Sequence, residues 1–102
     1  MRRVVKRAAA KRDLILHFAF IAESSPDAAG RFLVAAERSF QDLPEMPHLG
    51  VSRDALPSKF ADIRLWRVTG FENYLILYRP RNDGIAVERV IHAKQDYQRF
   101  LK

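Results

Sequence analysis

Cysteine is absent from the 102 residues, so disulfides and thiolate metal sites are excluded, and a reducing cytoplasm suits the chain. Glycine is scarce, and no glycine-rich phosphate loop can be assembled from the 4 that occur. The histidines, His17, His48 and His92, are scattered, which argues against a metal centre, and no cofactor is expected. His-Glu-x-x-His and Gly-x-Ser-x-Gly are missing, and the carboxylates are dispersed without an acid–base pair. Long apolar runs are missing too. The nearest candidate, residues 14–22 behind a basic start, is interrupted by Asp13 and His17 and has no small-residue cleavage site after it. It is also too short to span a bilayer, so it reads as an amphipathic helix of a cytoplasmic protein with no membrane partner.

Acidic residues are missing from the first dozen positions. Arg2, Arg3, Lys6, Arg7, Lys11 and Arg12 give that segment the whole net charge of +6, because the other ninety residues hold 12 basic and 12 acidic side chains. A basic end favours an acidic partner or a phosphate backbone, or it marks a solvated edge strand guarded by charge.

What is present is enough apolar material for one domain over residues 1–102. Hydrophobic residues make up 48% of the chain, and a domain of this length buries roughly 60–70% of its unfolded surface. Val4 and Val5 suit a first strand. Helix formers take over at about Ala8, where Leu14, Phe18 and Ile21, joined by Ile15 and Ala22, give a core-facing stripe. Leu16 and Phe20 form a second apolar pair outside it, facing either the next helix or a partner. Ser24-Ser25-Pro26-Asp27 is a helix start: serine caps, proline fits the first turn and aspartate complements the dipole. Ala29, Phe32, Leu33, Ala36, Phe40 and Leu43 mark the buried face of this second helix, and Pro44 and Pro47 stop it.

Residues 44–62 read as an ordered loop pinned by Leu49, Val51, Leu56 and Phe60. Strands are predicted over 63–68, 73–79 and 85–92, with Arg81-Asn82-Asp83-Gly84 as the turn between the last two. Asp96 is placed to cap a short terminal helix whose Tyr97, Phe100 and Leu101 dock back. The expected fold is α+β, in the order β-α-α-β-β-β, with a helical hairpin on a small antiparallel sheet and a short C-terminal helix. The cations of that sheet and its ends are Arg64, Arg67, Arg79, Arg81, Arg89, His92 and Lys94. Such a set can orient and cleave RNA, or it can form surface ion pairs with Glu72, Asp83 and Glu88. Arg67 and Arg89 are candidates to face partly inward, where each needs a carboxylate.

The run Trp66-Arg-Val-Thr-Gly-Phe-Glu-Asn-Tyr-Leu-Ile-Leu-Tyr-Arg-Pro80 is the most specific stretch of the chain. Trp66 and Val68 share one strand face, Gly70 allows the turn, and Tyr74 to Tyr78 form an unbroken apolar strand. This run closely resembles that of ParE-type toxins, in the RelE/ParE superfamily of bacterial toxin–antitoxin systems. Ile21-Ala22-Glu23, Ala28 to Leu33, Leu49-Gly50 and Arg89-Val90-Ile91-His92 are similar as well, so the likeness covers about 13–97.

The resemblance implies a cytoplasmic toxin with no catalytic apparatus that binds and traps DNA gyrase, part of a plasmid-stabilisation system. It implies neutralisation by a small ParD-like antitoxin, and no direct nucleic-acid readout. His92, Lys94 and Tyr97 are then the target-facing residues, and Arg2, Arg3, Lys6, Arg7, Leu16 and Phe20 the antitoxin-facing ones. The alternative is a RelE-like ribosome-dependent mRNA endonuclease, with Arg64, Lys94 and Tyr97 as its catalytic residues. That branch places an arginine early in the central strand, where this chain has Leu75. It also places an arginine beyond the last strand, where Lys94 is a poor substitute for a guanidinium fork.

Overall fold

The computed structural model describes residues 3–45, 51–52 and 62–96. In chain order these form β1 (Arg3–Lys6), α1 (Ala8–Ser24), α2 (Pro26–Asp42), a 3-10 turn (Leu43–Glu45), β2 (Val51–Ser52), β3 (Arg64–Val68), β4 (Phe71–Arg81) and β5 (Gly84–His92). The predicted element order holds. The two-residue β2 is an addition within the stretch read as loop. The loop anchors Leu49, Leu56 and Phe60, and the terminal helix with Tyr97, Phe100 and Leu101, lie outside the described residues. Among the described residues, no helix is long and apolar enough to cross a membrane.

One residue joins the two helices. The Ser25 N–H donates to the Ile21 carbonyl at 2.9 Å and closes α1, while its Oγ accepts the Ala28 N–H at 3.1 Å and opens α2. Pro26 and Asp27 follow in the first turn of α2, as their residue types require. The hairpin is therefore as tight as the sequence suggested.

The sheet has the order β1-β5-β4-β3-β2. β3 and β4, and β4 and β5, are antiparallel, but β1 pairs with β5 in parallel, so the sheet is mixed where an antiparallel one was expected. Only strands joined by tight turns are obliged to run antiparallel. β1 reaches β5 through the whole helical hairpin and three strands, so no turn constrains their relative direction. Gly70 takes φ 84° in the β3–β4 turn, where glycine carries no steric cost. Gly84, at φ 153°, has a second reason to be glycine. It pairs with Arg3, and a Cβ there would overlap the carbonyl oxygen and amide nitrogen of Arg3.

Both faces of the sheet are covered. Tyr74, Ile76, Tyr78, Ile85, Val87 and Val90 pack with Ala10, Leu14, Phe32, Ala36 and Phe40 beneath the helices. On the opposite face Ile63, Leu75, Leu77 and Ile91 form a second cluster. Tyr74 to Tyr78 are all buried, as an uninterrupted apolar strand requires. A bulge lies between the β4 positions Leu77 and Tyr78, which pair with Arg89 and Val87, leaving Glu88 over. It shifts the helix-facing parity of β5 from Ile85 and Val87 to Val90.

The buried stripe of α1 differs from the expected one. Ala10, Asp13 and Leu14 are buried, His17 and Ile21 are half-buried, and Ile15 and Phe18 are 67% and 36% exposed. Ile15 and Phe18 therefore lie outside the core stripe. Two polar residues take their place because partners on β5 satisfy them. Asp13 accepts from the Arg89 guanidinium at 2.7 and 3.0 Å and from the Val90 N–H at 3.0 Å. The Nε2–H of His17 donates to the Val90 carbonyl at 2.8 Å. Since β1 ends at Lys6, opposite Val87, β5 would otherwise run on with its outer edge unpaired. Asp13 and His17, one helical turn apart, take both backbone groups of Val90 in place of a strand.

Candidate functional site

Three regions carry the residues singled out by sequence. The first is the end of β5. The His92 N–H donates to Asp96 at 2.8 Å, and its Nδ1 accepts the N–H groups of Lys94 at 3.1 Å and Gln95 at 3.3 Å. An Nδ1 that accepts twice leaves the ring proton on Nε2. The Asp96 N–H returns to the His92 carbonyl at 2.9 Å, and Ala93 N–H reaches the Asn73 carbonyl. Residues 92–96 are thus a tight, internally bonded turn with Lys94 exposed on it. Within the described residues Asp96 bonds back to His92. Tyr97 lies outside them.

An aromatic row anchors this turn to the body. Phe71 meets Phe32 with centroids 5.5 Å apart, and Phe32 meets Tyr74 at 4.8 Å. Tyr74 lies edge-on to His17 at 4.9 Å and to His92 at 5.0 Å. Each such contact contributes roughly 0.5–1.5 kcal/mol beyond its buried area. Burial, with a smaller contribution from the nearby Asp96 charge, raises the Tyr74 phenol above its ordinary value of 10.0.

The second region is the cationic set on the sheet. Arg79 pairs with Asp62 and Glu88, Arg81 stands 4.0 Å from Asp83, and Arg67 donates to the Glu72 carbonyl. Arg67 is exposed, so the expectation that it faces inward fails, whereas Arg89 does find its carboxylate in Asp13. The hydrogen bond to Asp13 is the main reason the Arg89 guanidinium holds its proton more tightly than usual. Arg64 pairs across the sheet with Tyr78 and His92 with Tyr74, a separation of about 13 Å along β4. Arg64 and Lys94 therefore lie towards opposite ends of the sheet. Leu75, where the ribonuclease branch would have an arginine, is 8% exposed and packed in the second cluster.

The third region is the N-terminal strand with the outer side of α1. Arg2 lies outside the described residues. Arg3 stands 3.9 Å from Asp83, Lys6 pairs with Glu37 at 2.7 Å, and Arg7 with Glu88 at 3.3 Å. The one-signed terminus of the sequence is thus distributed among acids from three other elements. Leu16 and Phe20 are 66% and 56% exposed, so contact with α2 is not what holds them. Asp13 is the site residue that sequence reasoning missed. Its only signal was that a buried arginine requires a carboxylate, which does not say which one.

Among the described residues, no group of His, Cys, Asp or Glu could hold a metal ion. No curated protein matches the chain. A solved structure titled "Chromosomal ParDE TA system from P. aeruginosa" is similar in fold, with TM-score 0.70 at 14% identity, covering 92% of this chain and 98% of that one. The family described as "ParE toxin of type II toxin-antitoxin system, parDE" matches residues 4–97. The chain belongs to this family of ParE toxins.

Proposed function

We propose that the protein acts by binding DNA gyrase and trapping it on cleaved DNA, and that a cognate ParD-like antitoxin neutralises it. The observation that carries the choice of target is Leu75, an apolar residue buried with Ile63, Leu77 and Ile91. Cleavage of mRNA needs a cation there to grip phosphate, and a charge at this position would lose its hydration without a partner. A binding protein needs only a presented surface. The turn of residues 92–96, with His92 fixed and Lys94 exposed, is that surface; Tyr97, assigned to it from sequence, lies outside the described residues.

The test is purified toxin in two assays, gyrase supercoiling and translating ribosomes. Inhibited supercoiling with accumulated cleaved DNA and intact mRNA is expected. Codon-specific mRNA cuts with gyrase unaffected would overturn the proposal. Lys94→Glu should lower toxicity and leave the thermal midpoint almost unchanged, since exposed substitutions move stability by under about 0.5 kcal/mol.

For the antitoxin, we place an amphipathic helix over Leu16 and Phe20 and an acidic extended segment along the edge strand β1. Its acids would exchange with Asp83, Glu37 and Glu88 for Arg3, Lys6 and Arg7, steering association more than setting affinity. Phe20→Asp puts an unpaired charge into that contact and should weaken co-purification with the antitoxin while the toxin folds normally. Wild-type affinity in a folded Phe20→Asp toxin would exclude this surface.

A further inference from the structure

We infer that the free protein associates with a second copy of itself, through the outer strip of α1, as an antiparallel two-fold dimer. Every large hydrophobic residue that is exposed among the described residues lies on the helical hairpin, and four of the five lie on α1. Large apolar side chains left exposed together on one helix mark an interaction surface.

The pattern on its outer side specifies the occupant. Arg12, Leu16, Ala19 and Glu23 are all exposed and follow one another at intervals of four, three and four residues. They fall within an arc of roughly 60° on the helix, the spacing of a helix–helix seam. Ile15 and Phe20 flank the seam on either side. A base stands at one end, an acid at the other, and leucine and a small residue between them.

Laid antiparallel on itself, this strip is self-complementary. Arg12 of each copy meets Glu23 of the other, and Leu16 of each meets Ala19 of the other, whose lack of bulk lets the helices approach. Ile15 meets Ile15 on one flank and Phe20 meets Phe20 on the other. A two-fold contact requires this reciprocity, residue i on j and j on i. In a parallel arrangement Arg12 would face Arg12 and Glu23 would face Glu23. Neither Arg12 nor Glu23 forms an ion pair in the single chain among the described residues, so no internal partner has to be displaced. One helix pair buries less than a standard interface, and both copies carry a net charge of +6, so the dimer should be weak, with a dissociation constant of roughly micromolar order.

The test is sedimentation of the antitoxin-free protein over a concentration series at physiological salt. The wild-type mass should rise towards that of a dimer at high micromolar concentration. Arg12→Glu and Glu23→Arg should each raise the dissociation constant at least about tenfold, and the double variant should recover most of the loss, as a direct charge pair requires. Leu16→Glu should remain monomeric. All three substituted positions are exposed, so unchanged circular dichroism melting will show that the variants fold. A wild-type chain that stays monomeric throughout, or a double variant as weak as either single one, overturns the inference. Both outcomes are separate from the antitoxin reading. A monomeric wild type that binds antitoxin through Leu16 refutes the dimer and leaves that reading standing.

Discussion

Replacing Asp13 by alanine removes the acceptor of three hydrogen bonds at the join between α1 and β5. Asp13 is 8% exposed, so the Val90 N–H left behind has no route to water, and one unsatisfied donor costs about 1–3 kcal/mol. The Arg89 side chain is 37% exposed, so its guanidinium recovers part of its hydration, and the full penalty of a broken buried pair does not apply. The two effects together give a loss of about 2–4 kcal/mol, against a total of about 5–15 kcal/mol for a small domain. For a domain of this length that corresponds to a drop of roughly 10–20 °C in thermal midpoint. Asparagine retains a carbonyl oxygen for the Val90 N–H but gives up the charge and replaces the Oδ1 that accepts from Arg89 with an NH2 donor, so Asp13→Asn should cost less than Asp13→Ala but remain destabilising. Urea unfolding monitored by circular dichroism measures both. A cost below about 0.5 kcal/mol for Asp13→Ala would mean that the pair behaves as an ordinary surface contact. Equal costs for the two variants would mean that the Val90 bond contributes nothing. Either result refutes the reasoning.

Three further outcomes follow from other parts of the fold. The Tyr74 phenol is raised in the folded state, mainly by burial, so its contribution to stability is complete below the unfolded value of 10.0 and declines as pH rises through the folded value. Tyr74→Phe should flatten that alkaline limb, measured as urea midpoint against pH; an unchanged slope counts against a buried phenol. Gly84→Ala drives a Cβ into the backbone of Arg3 and should cost roughly 2–3 kcal/mol, with amide exchange protection lost first in β1; retained β1 protection would be evidence against the close approach. Ser25→Ala removes the cap on the Ala28 N–H and should cost about 1 kcal/mol in urea unfolding, and a neutral result would show that the proline and aspartate after it suffice.

Local features were legible in the sequence wherever the chemistry was local. Ser25, Pro26 and Asp27 act on neighbours within three residues, and the helix start stands where their types place it. Trp66 and Val68 lean on the helix-side core, and Tyr74 to Tyr78 are buried as read. The inner face of α1 was misread because apolar spacing cannot recognise a polar residue whose partner is 76 positions away, as Asp13 and Arg89 are. Asp13 and His17 argued only against a leader sequence, yet they are the two side chains that bind Val90. The parity change in β5 was hidden for a related reason. A bulge is a property of pairing, and a period-two pattern read along one strand assumes that none is present. Charge misled in the opposite direction, since a terminus of one sign is divided in space among Asp83, Glu37 and Glu88.

The pairing of β1 with β5 also bears on the order in which the protein can be made. The first strand emerges from synthesis with only the helical hairpin after it, and its partner is the last strand of the sheet. Until residues 84–92 have been added, Val4 and Val5 have no ladder, Asp13 has no guanidinium, and Gly84 is not there to receive Arg3. Contacts that join the chain's beginning to its end must meet the full entropy of closing the loop between them, so they form late. A growing chain therefore keeps its basic strand and the inner face of α1 uncovered through most of its translation. Over that interval the surface that later becomes core is open to any helix or strand close enough to occupy it.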